Sequence, residues 1–306
     1  MASTLAASHT LRRPSVKELP ERAAEQLSRI KKLWDRHERG DPYGPEYRAS
    51  VLVPLIYNSE TSAFDILLTR RSTKLRSHSG EVAFPGGRRD EGDENVVTTA
   101  LREAYEEVGL PPSCVNVITR WPPIVSRNNL LVTPVIALTP PDFTPTPNPD
   151  EVESVFKVPT THFLSAGHYW YDTLMWNGTN FRLHRFSYGD YVVSGLTADV
   201  CIQVAMAAHD IQDEALLGYN LSEPGQTSYE DLIEKLVREG RFTKPDLEFV
   251  KKRNLKETPV FVDTRVAADA MDVDLGDRAL FSVVGAEEEG PESEGKEAPR
   301  TVNGRM

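Results

Sequence analysis

The chain has 306 residues, 39% of them apolar, enough for one substantial core with appendages, and its length bounds the count at one or two domains. Its formal charge is −11, and residues 271–306, with nine acidic and four basic side chains, carry −5 of it, a balance opposite to that of a nucleic-acid binder. No run of 18 apolar residues and no secretory core occurs, so the expectation is a soluble, intracellular protein without stable membrane insertion.

Two cysteines, Cys114 and Cys201, are too few for a zinc site, and a disulfide between them would be unusual in a reducing compartment. Residues 1–19 carry Arg12, Arg13 and Lys17 with no acid before Glu18 and are rich in Ala and Ser. That composition suits a disordered terminus or a mitochondrial presequence. Within 20–46, Ala23, Leu27, Ile30 and Trp34 recur at helical spacing and predict an amphipathic helix from Pro20 to Glu38, laid on the core. Ala49–Tyr57 and Ala63–Thr69 are short runs rich in Val, Ile and Leu around a polar stretch, which reads as a hairpin.

Next come Arg70, Arg71, Lys74, Arg76, His78, Arg88 and Arg89, a gathering of cations in an acidic protein. Arginine forks match phosphate oxygens, so the run is either a basic surface in water or, beside a metal site, a seat for a polyanion with several phosphates. Inside it stands Phe84-Pro85-Gly86-Gly87. The glycine pair is a turn signal that also frees the backbone to approach a ligand or a metal closely.

Val97, Ala100, Leu101, Ala104 and Val108 then predict a helix of about four turns, with Asp90 or Asp93 as N-cap and Gly109 as its stop. Glu103, Glu106 and Glu107, at i, i+3 and i+4, share its other face. Either that face is solvated, or a hard divalent ion with oxygen ligands relieves the repulsion and bridges to a substrate phosphate.

Strands are expected at Val115–Arg120 and Leu130–Leu138, followed by an extended surface loop, Pro140–Pro149, that ends at Glu151. Trp170–Trp176 and Asn180–Phe186 read as a second hairpin turning near Asn177-Gly178. The aromatic segments near Phe163, Tyr169, Trp170 and Trp176 are either core or the lining of an apolar channel. Thr197 is placed to cap a helix through about His209, with Val200, Val204 and Ala208 on one side. Ser228, with Asp231 three residues on, starts another helix that Gly240 ends, and residues 245–253 suggest one more. From about Asp263 the chain is acidic and poor in large apolar residues, which predicts disorder.

The run Arg102-Glu103-Ala104-Tyr105-Glu106-Glu107-Val108-Gly109-Leu110 resembles the Nudix box. Counting back from Arg102, the box glutamate falls at Glu94, but Arg88 stands where its glycine belongs and Gly87 is one residue early. Either the loop is one residue longer or Asp93 takes the acidic role. The stretch Leu67-Leu68-Thr69-Arg70-Arg71-Ser72, continuing through Gly80 to Phe84-Pro85-Gly86-Gly87, is similar to the signature upstream of the box in the coenzyme A diphosphatase branch. Asn148-Pro149-Asp150-Glu151-Val152, Val155–Pro159 and Ser194-Gly195-Leu196-Thr197-Ala198 are further matches to that branch.

This resemblance implies an α/β fold, an α/β/α sandwich around a mixed sheet over residues 47–220; spacing and composition add an N-terminal helix, a helical extension over 221–262 and an acidic tail over 263–306. It implies Mg²⁺ or Mn²⁺ held by Glu103, Glu106 and Glu107 with the Gly87 carbonyl as an extra ligand, and Arg102 orienting the carboxylates through an ion pair. The general base would be Glu106, Glu107 or, outside the box, Glu151. Arg71, Arg76, His78, Gly86, Gly87 and Arg88 would bind substrate, and the reaction would cleave coenzyme A and its thioesters at the diphosphate. The rivals are a diphosphatase for NADH or ADP-ribose and a silent Nudix-fold scaffold. The family also raises the peroxisome through a C-terminal small-basic-Leu tripeptide, which Gly304-Arg305-Met306 matches in its last two residues.

Overall fold

Long runs of Val, Ile and Leu bury both faces of a strand, and such strands need a covering layer on each side. The computed structural model describes residues 11–34, 48–75, 78–126, 130–176 and 178–240 and the strand Phe261–Val262. Among these, eight strands make one sheet: β1 (Arg48–Asn58), β2 (Ala63–Arg71), β3 (Val82–Ala83), β4 (Gly86–Arg88), β5 (Asn116–Arg120), β6 (Ile124–Val125), β7 (Leu131–Leu138) and β8 (Val152–Pro159). The path runs β3-β2-β1-β7-β5, with β4 on β1, β6 on β7 and β8 on β2. β1 and β7 run parallel and the other described pairs antiparallel, so the sheet is mixed.

Alternation along β1 sends Leu52 and Ile56 to one face and Val53 and Leu55 to the other. On the first face lies the helix Val96–Val108, through Ala100, Ala104 and Val108. On the second lie the helix Glu21–Trp34, through Ala23, Leu27 and Ile30, and the helix Gly195–His209, through Val200, Val204 and Ala208. We name these helices α2, α1 and α3 in chain order. The α/β/α sandwich implied by the resemblance is therefore present, and each fully buried Leu or Ile in it contributes about 1.5–3 kcal/mol.

The second hairpin becomes a four-stranded antiparallel sheet: β9 (Tyr169–Trp176) and β10 (Thr179–Tyr188), flanked by β11 (Tyr191–Ser194) and β12 (Phe261–Val262). Its aromatic side chains are packed on one another. Phe163 meets Phe186 edge-on at 5.1 Å, Tyr169 stacks on Tyr219 at 4.1 Å, and Trp176 lies 5.5 Å from Phe181. Of the two readings of this segment, core is the one these contacts favour.

Two local expectations need correction. Thr197 does not cap α3: the cap is Ser194, the turn is made at Gly195 with φ +58°, and Thr197 lies inside the helix, its hydroxyl donating to the Val82 carbonyl at 3.2 Å. α1 is described over Glu21–Trp34, and the rest of the span expected to Glu38 lies outside the described residues. Residues 11–19, read from composition as part of a disordered or targeting segment, lie against the core, where Cys114 Sγ donates to Leu11 O and Asn116 Nδ2 to Pro14 O. The helix after Ser228 is found at Tyr229–Arg238 and is α4; Ser228 Oγ accepts from Asp231 N as expected. The expectations for 245–253, 263–306 and the terminal tripeptide lie outside the described residues. Both cysteines are buried thiols, and no described helix is long and apolar enough to cross a membrane.

Candidate active site

α2 is cut from the sequence by two caps. Gly109 ends it at φ +71°, as expected, and Asn95 begins it, accepting from the amides of Val97 and Thr98. Neither Asp90 nor Asp93 is the cap, because Asp93 is committed elsewhere. It is buried, 4% exposed, and both its oxygens receive Arg102, from Nε at 3.1 Å and from Nη2 at 3.0 Å. Glu94 remains exposed. Asp93 thus takes the acidic place that counting left open between it and Glu94, and the cause is Arg102 nine residues on.

Arg102 is the hub of the site. Beyond Asp93, its Nη1 meets Glu103 Oε1 and Glu106 Oε2, each at 3.0 Å, and its Nη2 donates to the Arg88 carbonyl at 3.0 Å. The guanidinium fork spans several acceptors at once, which a lysine cannot do. Its pull holds the Asp93 carboxyl down at about 2 and raises its own pKa in return.

The three glutamates do not share one solvated face. Glu106 is 50% exposed, Glu103 14% and Glu107 2%. Glu107 sits about 40° around the helix from Glu103, which turns it toward the sheet and under β4. There the Gly86 amide donates to Glu107 Oε2 at 3.1 Å and Arg71 Nη1 lies 3.3 Å from Oε1. Burial pushes the Glu107 carboxyl up to about 7; the Gly86 amide and Arg71 oppose that shift, while the charges of Glu103 and Glu151 add to it. Glu103 is also raised, first by burial.

The two glycines serve a close approach. A Cβ on Gly86 would lie 2.5 Å from Ser50 O and 2.6 Å from Val51 Cα on β1, and one on Gly87 would fall on the Glu103 carboxylate. A side chain at Gly86 would therefore wedge β4 off β1, and one at Gly87 would displace the Glu103 carboxylate.

Glu151 reaches the same place through the sheet. β8 pairs with β2 so that Arg70 faces Ser154 and Arg71 faces Val152, and the Ser72 amide donates to Glu151 O at 2.8 Å. The loop before it is less free than its proline content suggests. Thr146 N donates to Val108 O and Asn148 N to Glu107 O, both at 2.9 Å, which ties off the last carbonyls of α2. Asn148 Nδ2 then donates to Glu151 Oε1 at 3.3 Å. Sequence reading did not single out Asn148, although its turn with Asp150 and Glu151 was visible as Asn-Pro-Asp-Glu.

The same β2–β8 register answers the cationic run with acids. Arg70 meets Glu153 at 3.6 Å, Lys74 meets Asp150 at 3.6 Å, and His78 Nδ1 meets Glu81 at 2.7 Å. Arg71 is on Glu107, Arg88 is exposed, and Arg76 lies outside the described residues. Much of the expected basic surface is therefore paired charge.

Among the described residues, no three His, Cys, Asp or Glu side chains converge closely enough to hold a metal as they stand. Arg71 and Arg102 take up the carboxylate oxygens. The donor chemistry nevertheless fits a hard divalent ion. Glu103 and Glu107 offer carboxylate oxygens whose charge is unfavourable where they sit, and the side-chain-free backbone of β4 lies against Glu103. Such an ion needs only one or two carboxylates together with water and substrate phosphate.

Comparison with known proteins agrees with this architecture. The NUDIX domain family matches residues 46–174. The uncharacterized Nudix hydrolase NudL of Photorhabdus laumondii is 41% identical over 157 residues, which cover 51% of this chain and 82% of that one. Nudix hydrolase 15, mitochondrial, of Arabidopsis thaliana is 40% identical over 176 residues, 56% of this chain and 61% of the relative. Among solved structures, the Nudix hydrolase RenU of M. smegmatis is 24% identical over 41% of this chain and 78% of its own, with a TM-score of 0.34, too slight a likeness to argue from. With identity of that level spread over most of NudL, the chain belongs to the Nudix hydrolase family.

Proposed function

We propose that this Nudix hydrolase cleaves the diphosphate of coenzyme A and acyl-coenzyme A, giving 3′,5′-ADP and 4′-phosphopantetheine or its acyl form. One observation carries the reading. The segment from Leu67 to Gly87, whose sequence resembles the coenzyme A diphosphatase signature, runs from β2 directly to the backbone that lies on Glu103 and Glu107. The relatives' names stop at Nudix hydrolase, so the substrate rests on that signature.

In this reading Glu103, Glu106 and Glu107 hold Mg²⁺ or Mn²⁺. A bound ion supplies charge neutralisation at the phosphate oxygens and a lowered pKa for water. Arg102 keeps the carboxylates ionised and aimed, and Asp93 keeps Arg102 in place. Glu151, oriented by Asn148, takes the proton of the attacking water. The oxygen of that water bonds to phosphorus while the bridging P–O bond of the anhydride breaks, and the departing phosphate takes the electron pair. Arg76, His78 and Arg88 bind phosphate with the Gly86-Gly87 backbone, and Arg71 contributes from its place on Glu107.

The test is release of 3′,5′-ADP from coenzyme A with and without Mg²⁺ or Mn²⁺, against NADH and ADP-ribose at equal concentration. Preference for coenzyme A is expected. Equal or faster cleavage of either rival would reassign the substrate, and no metal-dependent cleavage of any of the three would leave a binding module.

A further inference from the structure

Two arginines hold the carboxylates of the site, and they are bonded to different degrees. Arg102 has an acceptor at every nitrogen: Nε donates to Asp93, Nη1 lies on Glu103 and Glu106, and Nη2 donates to Asp93 and to the Arg88 carbonyl. Arg71 does not. Its Nη1 lies 3.3 Å from Glu107 Oε1, while its Nε is buried with no hydrogen bond among the described residues. A buried donor without an acceptor costs free energy, so this guanidinium gains from a further acceptor, and a phosphate presents oxygens that suit its fork.

The backbone of Arg71 is pinned on both edges of β2. Its amide donates to Glu81 O at 2.9 Å, its carbonyl accepts from Gly80 N at 3.2 Å, and across the other edge it stands opposite Val152. Movement at this position is therefore left to the side chain.

Glu107 divides its two oxygens between neighbours. Oε2 accepts from the Gly86 amide at 3.1 Å, and Oε1 has Arg71. A divalent ion drawn to this carboxylate meets a guanidinium at one oxygen, and two cations that close repel. Arg71 cannot simply be lost, because that would strand a charge on a side chain only 2% exposed. One cation has to replace the other.

We propose that Arg71 passes between Glu107 and the substrate: it holds Glu107 Oε1 until a substrate phosphate draws it away, and the oxygen it leaves is then open to the divalent ion. Metal and diphosphate are thereby coupled through one side chain, and each strengthens the other by the same factor. The proposal rests on the reading of Glu107 as a metal ligand and is independent of which diphosphate is cut.

Calorimetric titration of the full chain with Mn²⁺, alone and with α,β-methylene-ADP, whose diphosphate is not cut, measures the exchange without turnover. After correction for the Mn²⁺ that the nucleotide binds in solution, wild type is expected to take Mn²⁺ about tenfold more tightly with the nucleotide than without it. Arg71→Gln should bind Mn²⁺ alone about fivefold more tightly than wild type and lose most of the gain from the nucleotide. Arg71→Lys, which keeps a cation for Glu107, should restore the weaker Mn²⁺ binding and part of the gain. Arg70→Gln removes the same charge one residue away, where the guanidinium lies on Glu153, and should match wild type in both respects. Circular dichroism melts confirm that each variant is folded. No gain from the nucleotide in wild type, a gain that survives Arg71→Gln, unchanged Mn²⁺ affinity in that variant, or the same effects from Arg70→Gln would overturn the exchange while leaving the metal reading intact. Absence of Mn²⁺ binding in every variant, with and without nucleotide, would remove the metal site itself.

Discussion

At two acids of this molecule, Glu107 and Asp199, burial raises the carboxyl to about 7. Glu107 stands in α2 among other carboxylates, receives the Gly86 amide and Arg71, and lies under a backbone stripped of side chains. Asp199 stands in α3, with one oxygen accepting from Tyr229 OH at 2.7 Å and the other, Oδ1, buried without a hydrogen bond among the described residues. The same electrostatic cause therefore has two meanings. A raised carboxyl flanked by further carboxylates and arginines has the makings of a cation site, whereas one facing a phenol and the Cys201 thiol is a fastening between α3 and α4.

The largest expected effect separates the two directly. Glu107→Gln should lower turnover by three decades or more, about 4 kcal/mol of transition-state stabilisation, with the circular dichroism spectrum unchanged. Asp199→Asn should leave kcat/KM within a few-fold of wild type. If Asp199→Asn costs as much activity as Glu107→Gln, the distinction fails.

Arg102→Ala removes the hub and leaves Asp93 buried without its partner. A loss of about 3 kcal/mol in urea unfolding is expected, since breaking a buried pair strands the remaining charge. Arg102→Lys should recover part of the stability and little of the rate, because an ammonium cannot span the same acceptors. Equal activity of the Lys variant and wild type would show that charge alone suffices.

Asp199 is better tested by pH. Its folded pKa is raised from 3.8 to about 7, first by burial, so over that interval the folded chain keeps a proton that the unfolded chain has released. Stability from this residue is full below the unfolded value and is lost as pH rises through about 7, by on the order of 4 kcal/mol. Chemical denaturation of wild type and Asp199→Asn between pH 4 and 8 should give curves that converge as pH rises, with the steeper decline in wild type. Parallel curves would place a different group in that role.

The smallest effects compare two glycines of the loop region. Gly87→Ala puts a methyl on the Glu103 carboxylate, and a tenfold or greater loss of rate is expected. Gly92 has open space where its Cβ would go, so Gly92→Ala should change activity and stability little, within about 0.5 kcal/mol. Comparable losses in both variants would point to loop stiffness in place of the close approach.

The sequence made α2 legible because its information is local. The apolar spacing, Gly109 and Arg102 beside its acids all lie within about four turns. The start of the same helix was misread because Asp90, Asp93 and Asn95 are all competent caps, and the choice among them belongs to Arg102, which removes Asp93 from the contest. The burial of Glu107 was hidden for a similar reason. Three glutamates at helical spacing look alike until β4 covers one of them. The cationic run read as free charge because its partners, Asp150 and Glu153, are about eighty residues away and arrive through strand pairing.

By itself, the chain's residue order determined the elements whose signals span a few turns or one strand: the apolar stripes, the hairpins, the glutamate helix and its glycine stop. Tertiary structure decided which carboxylate is buried, which acid holds Arg102, and that Asn148, with Glu151 beside it, comes to the end of α2. The physical reason is that charge and burial are properties of neighbours in space. Sheet register, set by strands far apart in the chain, chooses those neighbours.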